Sequence, residues 1–416
     1  MRKKKFNTGL LGQRHILVFN VGSSSLSFKI FKQDSSKPDF LSIVFSGKAH
    51  RVGVKGTESS FIEYINGPQT QKIPCDISTH TQAAYLVLHH IKDIGLDIDL
   101  IGHRFVHGGR YFKVSSVIDK ESLKKLRLCL PLAPLHNPIS LDVITVCSSV
   151  FPDIPQFVCF DTAFHSRIPE YAYAYALPKK IVQKFGFRKY GFHGLSYADV
   201  LMKSASFLKK PAADLKAVIC HIGTGGSSVA AIKNGHSIDT SMGYSPLPGL
   251  VMSTRCGDID PMLTLYLMAV YGLLPDELSD LLNKKSGLLG ISDFSSDIRD
   301  IVGRTSENGS HAQLAFDIYI HRLKKYIGSY VIALGGIDVL AFTDDIGIRN
   351  RQVRQKICEN MQWAGIVLDG DLDSAASVDN IRLLNSKESK AKVLSVPNDE
   401  EYVIAKEGLK LFKALR

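Results

Sequence analysis

Five side chains in this 416-residue sequence stand near glycines or prolines or at the ends of apolar runs, where a polar group is displayed rather than packed. Arg104 follows Gly102-His103 and precedes Phe105-Val106-His107-Gly108-Gly109, and Arg255 lies in the turn Ser253 to Pro261, STRCGDIDP. A guanidinium fork in such a place suits a carboxylate or a phosphate. Asp161 ends the apolar run QFVCF, His193 sits between Phe192 and Gly194, and His136 is framed by prolines in LAPLHNP. Two Gly/Ser turns accompany them. Ala217 to Ile232, AVICHIGTGGSSVAAI, offers His221, Gly223, Thr224, Gly225 and Gly226, whereas Ile16 to Ile30, ILVFNVGSSSLSFKI, offers Asn20 and Ser24. Each is an apolar run, a turn able to present backbone N–H groups, and an alternating strand, a pattern that suits an anionic oxygen. There is no Walker lysine and no Rossmann fingerprint. Phosphoryl transfer is the economical chemistry, because it needs positioning and charge neutralisation more than a strong nucleophile.

The elements that must hold these residues repeat once. Asn20 and His221 occupy equivalent places 201 residues apart (221 − 20), close to half the chain. This spacing implies a duplicated α/β protein in two lobes, each contributing one phosphate-gripping hairpin to a cleft between them. The length also points to two domains. Three antiparallel strands should open the first half, the last closing at Asn66-Gly67. A helix capped by Ser78 and running to Ile94 should follow, then a strand through Arg104, helices near 121–129 and 141–150, and a strand through Cys159. The second half should give a meander turning at Asn234-Gly235, helices from Asp260-Pro261, over 311–334 and over 351–364, a buried strand DVLAFT, two last strands, and a terminal helix capped by Asp399. The expected domains are 1–163, 164–397, and a helix over 398–416 returning to the first lobe.

Hydrophobic residues make up 45% and charged residues 22% of the chain, which fits a globular protein outside a membrane. The net charge of +11 is spread without a basic helix or an aromatic-interleaved basic stripe, so it argues for small anions rather than nucleic acid. The seven cysteines show no C-x-x-C pair or metal-ligand spacing and fit reduced thiols in a cytoplasmic protein. The basic start, MRKKKFNTGLLGQR, lacks a continuous apolar core and reads as a frayed tail.

The segments NVGSSSLSFKI, GHRFVHGG, LAPLHNP, FDTAFH, RKYGFHGLSY, HIGTGGSS, TSMGYSPLPG, STRCGDIDP, KKSGLLGIS and PNDEEYVIA together resemble the acetate kinase family, in the same order and over nearly the whole chain after residue 14. The resemblance implies the acetate and sugar kinase, heat-shock ATPase and actin superfold, with two βββαβαβα cores. It also implies a homodimer, and Mg2+ with ATP and acetate giving acetyl phosphate and ADP. By the same resemblance Arg104 and Arg255 bracket the acetate carboxylate and the transferring phosphoryl group. His193 stabilises the equatorial oxygens with help from His136, Asp161 orients the acceptor or a metal-bound water, and Asn20 and Glu400 hold Mg2+. Val106, Leu135, Phe192 and Pro246 match the small pocket for the acetate methyl, and the two hairpins with Asp344, Asp345 and Gly347 match the nucleotide site.

Departures from the family pattern fall in the nucleotide segments. Thr224 stands where the family has Asn. Phe342 to Arg349 reads FTDDIGIR where the pattern is Phe-Thr-(Ala/Gly)-Gly-Ile-Gly-Glu-Asn, so Asp344 and Asp345 replace two small residues. Three readings stay open on these residues: an ATP-dependent acetate kinase, the same fold working on another short acid or on pyrophosphate, and a weakened member acting as a ligand-binding protein.

Overall fold

The computed structural model describes residues 14–34, 36, 40–54, 58–305, 311–374 and 378–414, so the basic start before Arg14 lies outside the described residues. Two compact units divide the chain, Met1–Ala163 with Asp399–Arg416, and Phe164–Asn398.

The first unit is built on one sheet of eight strands: β1 (His15–Val21), β2 (Ser25–Gln33), β3 (Leu41–His50), β4 (Phe61–Asn66), β5 (Gln69–Pro74), β6 (Leu100–Phe105), β7 (Ser116–Val117) and β8 (Gln156–Phe160). Their order is β5-β4-β3-β2-β1-β6-β8-β7. Ile16 to Phe19 are all fully buried, as a strand covered on both faces requires, and β1 accordingly lies inside the sheet with β2 antiparallel and β6 parallel to it. The opening meander has five strands, the apolar run of β1, the three antiparallel strands expected after it, and one more. The added β5, QTQKIP, is polar and mostly exposed at the sheet edge, so no apolar alternation marks it.

The helix His80–Asp93 packs on the sheet through Ala84, Val87, Leu88 and Ile91. Thr79, not Ser78, caps it, accepting from the Gln82 N–H at 3.1 Å. Ile94 is the C-cap and faces solvent instead of extending the apolar stripe. The terminal helix Glu400–Ala414 is capped by Asp399, which accepts from the Tyr402 N–H at 3.0 Å. It lies against β6 so closely that a Cβ at Gly102 would meet the Ile404 methyl and the Phe157 ring.

The second unit repeats the plan with β9 (Ala217–Ile222), β10 (Ser227–Lys233), β11 (His236–Thr240), β12 (Val339–Thr343), β13 (Arg382–Leu383) and β14 (Lys392–Ser395), in the order β11-β10-β9-β12-β14-β13. The run β11-β10-β9-β12-β14 has the order and strand directions of β3-β2-β1-β6-β8. Registers agree too: Asn20 opposes Ser27 on β1 and β2, and His221 opposes Ser228 on β9 and β10. Asn234 and Gly235 both take positive φ, as the tight turn between β10 and β11 demands.

The helix His311–Leu334 buries one face in the core against β10. The helix from Arg351 ends at Cys358 rather than Ala364, because Asn360 turns to φ 62° and only a 3-10 turn over Gln362–Ala364 follows. A helix over Gly194–Leu208 was not expected. It starts from His193 in a left-handed conformation and carries no side-chain cap, so the usual start signal is missing.

All seven cysteines are free thiols, five of them buried. Burial pushes each above its ordinary value, to about 12 for Cys129 and Cys159. Among the described residues no helix is long and apolar enough to cross a membrane.

Candidate active site

In the first unit the polar residues gather at the carboxyl ends of the parallel strands β1, β6 and β8, where open α/β sheets present ligands. Arg104, near the end of β6, donates to Asp161 just beyond β8 through Nε at 2.9 Å and Nη2 at 2.6 Å, a two-pronged pair. Its Nη1 donates to Asn20 Oδ1 at 3.1 Å, and Glu400 Oε2 lies 3.6 Å from Nε. Burial would lower the Arg104 guanidinium, but the charges of Asp161, Glu400 and Glu401 outweigh it and hold it above its ordinary value. Asn20 Nδ2 in turn donates to Glu400 at 3.3 Å and Glu401 at 3.0 Å. Lys29 closes the network on Asp399 at 2.8 Å and Glu401 at 3.4 Å.

Four carboxylates therefore face two cations. An excess of hard oxygen donors suits Mg2+, which takes one or two protein carboxylates and completes its shell with water and phosphate. Asn20 and Glu400 fit such a site, and no cage of three His, Cys, Asp or Glu side chains is needed or found among the described residues. Ser24 is exposed in the first hairpin turn.

The loop after β6 is stitched by Asn137, which no local sequence signal singles out. Fully buried, it accepts from the His107 N–H at 3.2 Å and donates to the carbonyls of His107 at 3.1 Å and Cys129 at 2.7 Å. Its neighbour His136 is the N-cap residue of the helix Asn137–Val150 rather than part of a separate loop. Val106 in this loop is buried, while Leu135 is 65% exposed.

In the second unit His193 and His221 stack with ring centroids 4.0 Å apart. His193 Nδ1 and Ser228 Oγ are 2.8 Å apart, and Ser228 also meets the Tyr197 hydroxyl at 2.5 Å. His221 Nδ1 lies 2.9 Å from Ser196 Oγ, and its Nε2 is 3.0 Å from Asp344 Oδ2. His193 holds φ 58°, a costly backbone state for a residue with a Cβ. The preceding turn enforces it, since Gly191 at φ 73° lies against Thr240 and the buried ring of His165 where a Cβ would collide. His165 is anchored between Ser237 Oγ at 2.8 Å and the Phe192 carbonyl at 2.9 Å. These supporting groups, His165, Ser196 and Ser228, do no more in the sequence than mark polar positions near glycines.

The second hairpin turn brings the two charged groups together. A Cβ at Gly226 would be 3.4 Å from Arg255 Nη1 and 3.7 Å from His193 Nε2. Arg255 donates to the Pro246 carbonyl at 3.2 Å and makes no ion pair with a carboxylate among the described residues. Burial alone lowers its guanidinium. A cation of this kind beside the small residues Gly225 and Gly226 suits an anion. Gly225 is open on all sides, and Gly223 N–H closes the turn on the Gly226 carbonyl at 3.2 Å. Phe192 is buried and Pro246 half-buried. Gly347 lies in the short helix Asp344–Arg349 after β12, and Asp345 Oδ1 accepts from the Thr224 N–H at 3.0 Å.

Duplicated sheets of this order, each ending its first strand in a Gly/Ser hairpin, with Arg104 near the end of β6 in one unit and Arg255 in the loop after β11 in the other, define a phosphotransferase of the actin-like ATPase fold. The chain belongs to the acetokinase family, whose model matches residues 15–406. It is similar to the acetate kinase of Thermoanaerobacter pseudethanolicus, 42% identical over 409 residues that cover 96% of this chain and all of that protein. The acetate kinase of Bacillus subtilis is 40% identical over 96% of this chain and 99% of its own length. Among solved structures, the acetate kinase of Entamoeba histolytica matches with a TM-score of 0.86 at 45% identity over 96% of this chain and all of that one. A propionate kinase of Francisella tularensis matches with a TM-score of 0.85 at 34% identity over 95% of this chain and 98% of that one.

Proposed function

We propose that this chain transfers the terminal phosphoryl group of ATP to acetate, giving acetyl phosphate and ADP, and catalyses the reverse. The observation that carries the reading is Arg255: a half-buried cation with no acid partner among the described residues, set with His193 against the glycine turn at Gly226. An acetate oxygen attacks phosphorus in line, the bond to the ADP oxygen breaks, and the departing pair of electrons stays on ADP, so no proton must move. Arg104 takes the acetate carboxylate, held in place by Asp161 and Asn20. Arg255 and His193 donate to the equatorial oxygens as charge spreads over them, with His136 assisting. Mg2+, when bound by Asn20 and Glu400, neutralises charge on the phosphates.

The preference for acetate over propionate is expected to be only the small margin that one methylene allows. The first unit is the acyl and phosphoryl side and the second the nucleotide side. An exposed apolar strip of the second unit, Met262, Leu263, Leu265, Tyr266, Val270 and Tyr271, is the surface on which two copies pair. The raised, reduced thiols fit a cytoplasmic enzyme. The test is hydroxylamine trapping: purified protein with acetate, MgATP and hydroxylamine should yield acetyl hydroxamate in proportion to ADP. Absence of hydroxamate at high acetate and ATP overturns the reading.

A further inference from the structure

We propose that Asp344 and Asp345 set how strongly this chain grips its nucleotide, because their carboxylates take up within the fold the anion position that the second hairpin offers to a phosphate. The proposal rests on the ATP reading above. Asp345 Oδ1 accepts from the N–H of Thr224 at the tip of the hairpin at 3.0 Å and from the N–H of Ile346 at 2.8 Å. Asp344 Oδ2 pairs with His221 Nε2 at 3.0 Å and lies so close over Gly223 that any side chain there would collide with it. One hairpin N–H donor and the histidine ring that packs on His193 are thus already engaged by carboxylates.

The backbone says that this arrangement is held, not relaxed. Asp344 stands at φ 65°, a conformation that glycine adopts without cost and aspartate does not. Its carboxylate oxygens answer to His221 on one side and to the Asp345 N–H at 2.9 Å on the other.

The duplicated fold supplies its own comparison. In the first unit the residues after the equivalent strand β6 are Val106 and His107, and no carboxylate follows that strand directly into its hairpin. In the second unit a phosphate entering the hairpin must displace Asp345 from Thr224 and must lie near two like charges, and both effects weaken binding. The two acids are therefore specificity-determining residues that lower nucleotide affinity without touching the groups that hold acetate.

Titration calorimetry of MgADP, which needs no turnover, tests this on the full-length wild type and on Asp344→Asn, Asp345→Asn and the doubly substituted Asp344→Gly, Asp345→Gly protein. The Asn variants keep the side-chain shape, and thermal melts check folding. Each single variant should lower the Kd by about tenfold, about 1.4 kcal/mol. The double variant should lower it further, and the KM for ATP should fall alongside it in the hydroxamate assay while the KM for acetate stays fixed. A Kd for MgADP that is unchanged or higher in the folded Asn variants overturns the proposal. If no protein makes hydroxamate yet the variants bind MgADP more tightly, the catalytic reading fails and this one stands.

Discussion

Arg104 and Arg255 look alike in sequence, each beside small residues, and the structure separates them. Arg104 is locked to Asp161, whose side chain is 1% exposed, whereas among the described residues Arg255 bonds a carbonyl and the Met252 sulfur and no carboxylate. Arg255→Ala should therefore reduce turnover by about 10²–10³, the usual loss for one preorganised donor, with an unchanged urea midpoint. Arg104→Ala should reduce turnover as well, but it also strands a buried carboxylate and should cost about 3–5 kcal/mol of stability. Steady-state rates and urea melts of both variants check this, and equal stability in the two would contradict the division of labour. The arginines, His193 and Asp161 were legible because each stands in a short motif of unlike neighbours. Asn137 and His165 were not, since the carbonyls and hydroxyls that they bridge lie as far as 72 residues away in the chain, and only folding brings them together.

At the scale of the element, β6 carries Arg104 outward and His103 inward. His103 is buried, stacks on Phe19 with ring centroids 6.1 Å apart and bonds Gln156 Oε1 at 2.7 Å. Burial depresses its pKa from 6.5 to about 4, although the bond to Gln156 opposes the shift. The unfolded chain then binds more protons than the folded one between these values. The contribution is fully present above pH 6.5 and is lost as pH falls toward 4, about 3 kcal/mol in all. Urea unfolding at pH 7.5 and at pH 4.5 should show a drop that is smaller in His103→Gln. The strands that run apolar, β1, β9 and β12, and the capped helices starting at Pro261 and Glu400 could be read directly from the chain. The polar edge strand β5 and the helix entered through left-handed His193 could not, because hydrogen bonding to a neighbour in one case and the packing of Gly191 in the other replace the ordinary local signal.

For the whole molecule, the strip from Met262 to Tyr271 is too apolar to be left in water, with each of its six named side chains more than half exposed. Light scattering should give twice the 45.9 kDa of one chain, and Leu263→Glu with Leu265→Glu should return the mass to that of a monomer. The duplication was legible because its two hairpins retain the same order of residue types. The later divergence, in which an acid pair closes one turn and a glycine loop leaves the other bare, becomes meaningful only in three dimensions. The burial of the cysteines carries a different consequence. Acetyl phosphate is an acylating reagent, and a thiolate is the nucleophile that it would modify first. Every one of the seven thiols is held protonated by its surroundings, two of them at about 12. A protein that releases such a product is thereby protected from its own chemistry, and its intact mass should stay constant through prolonged turnover.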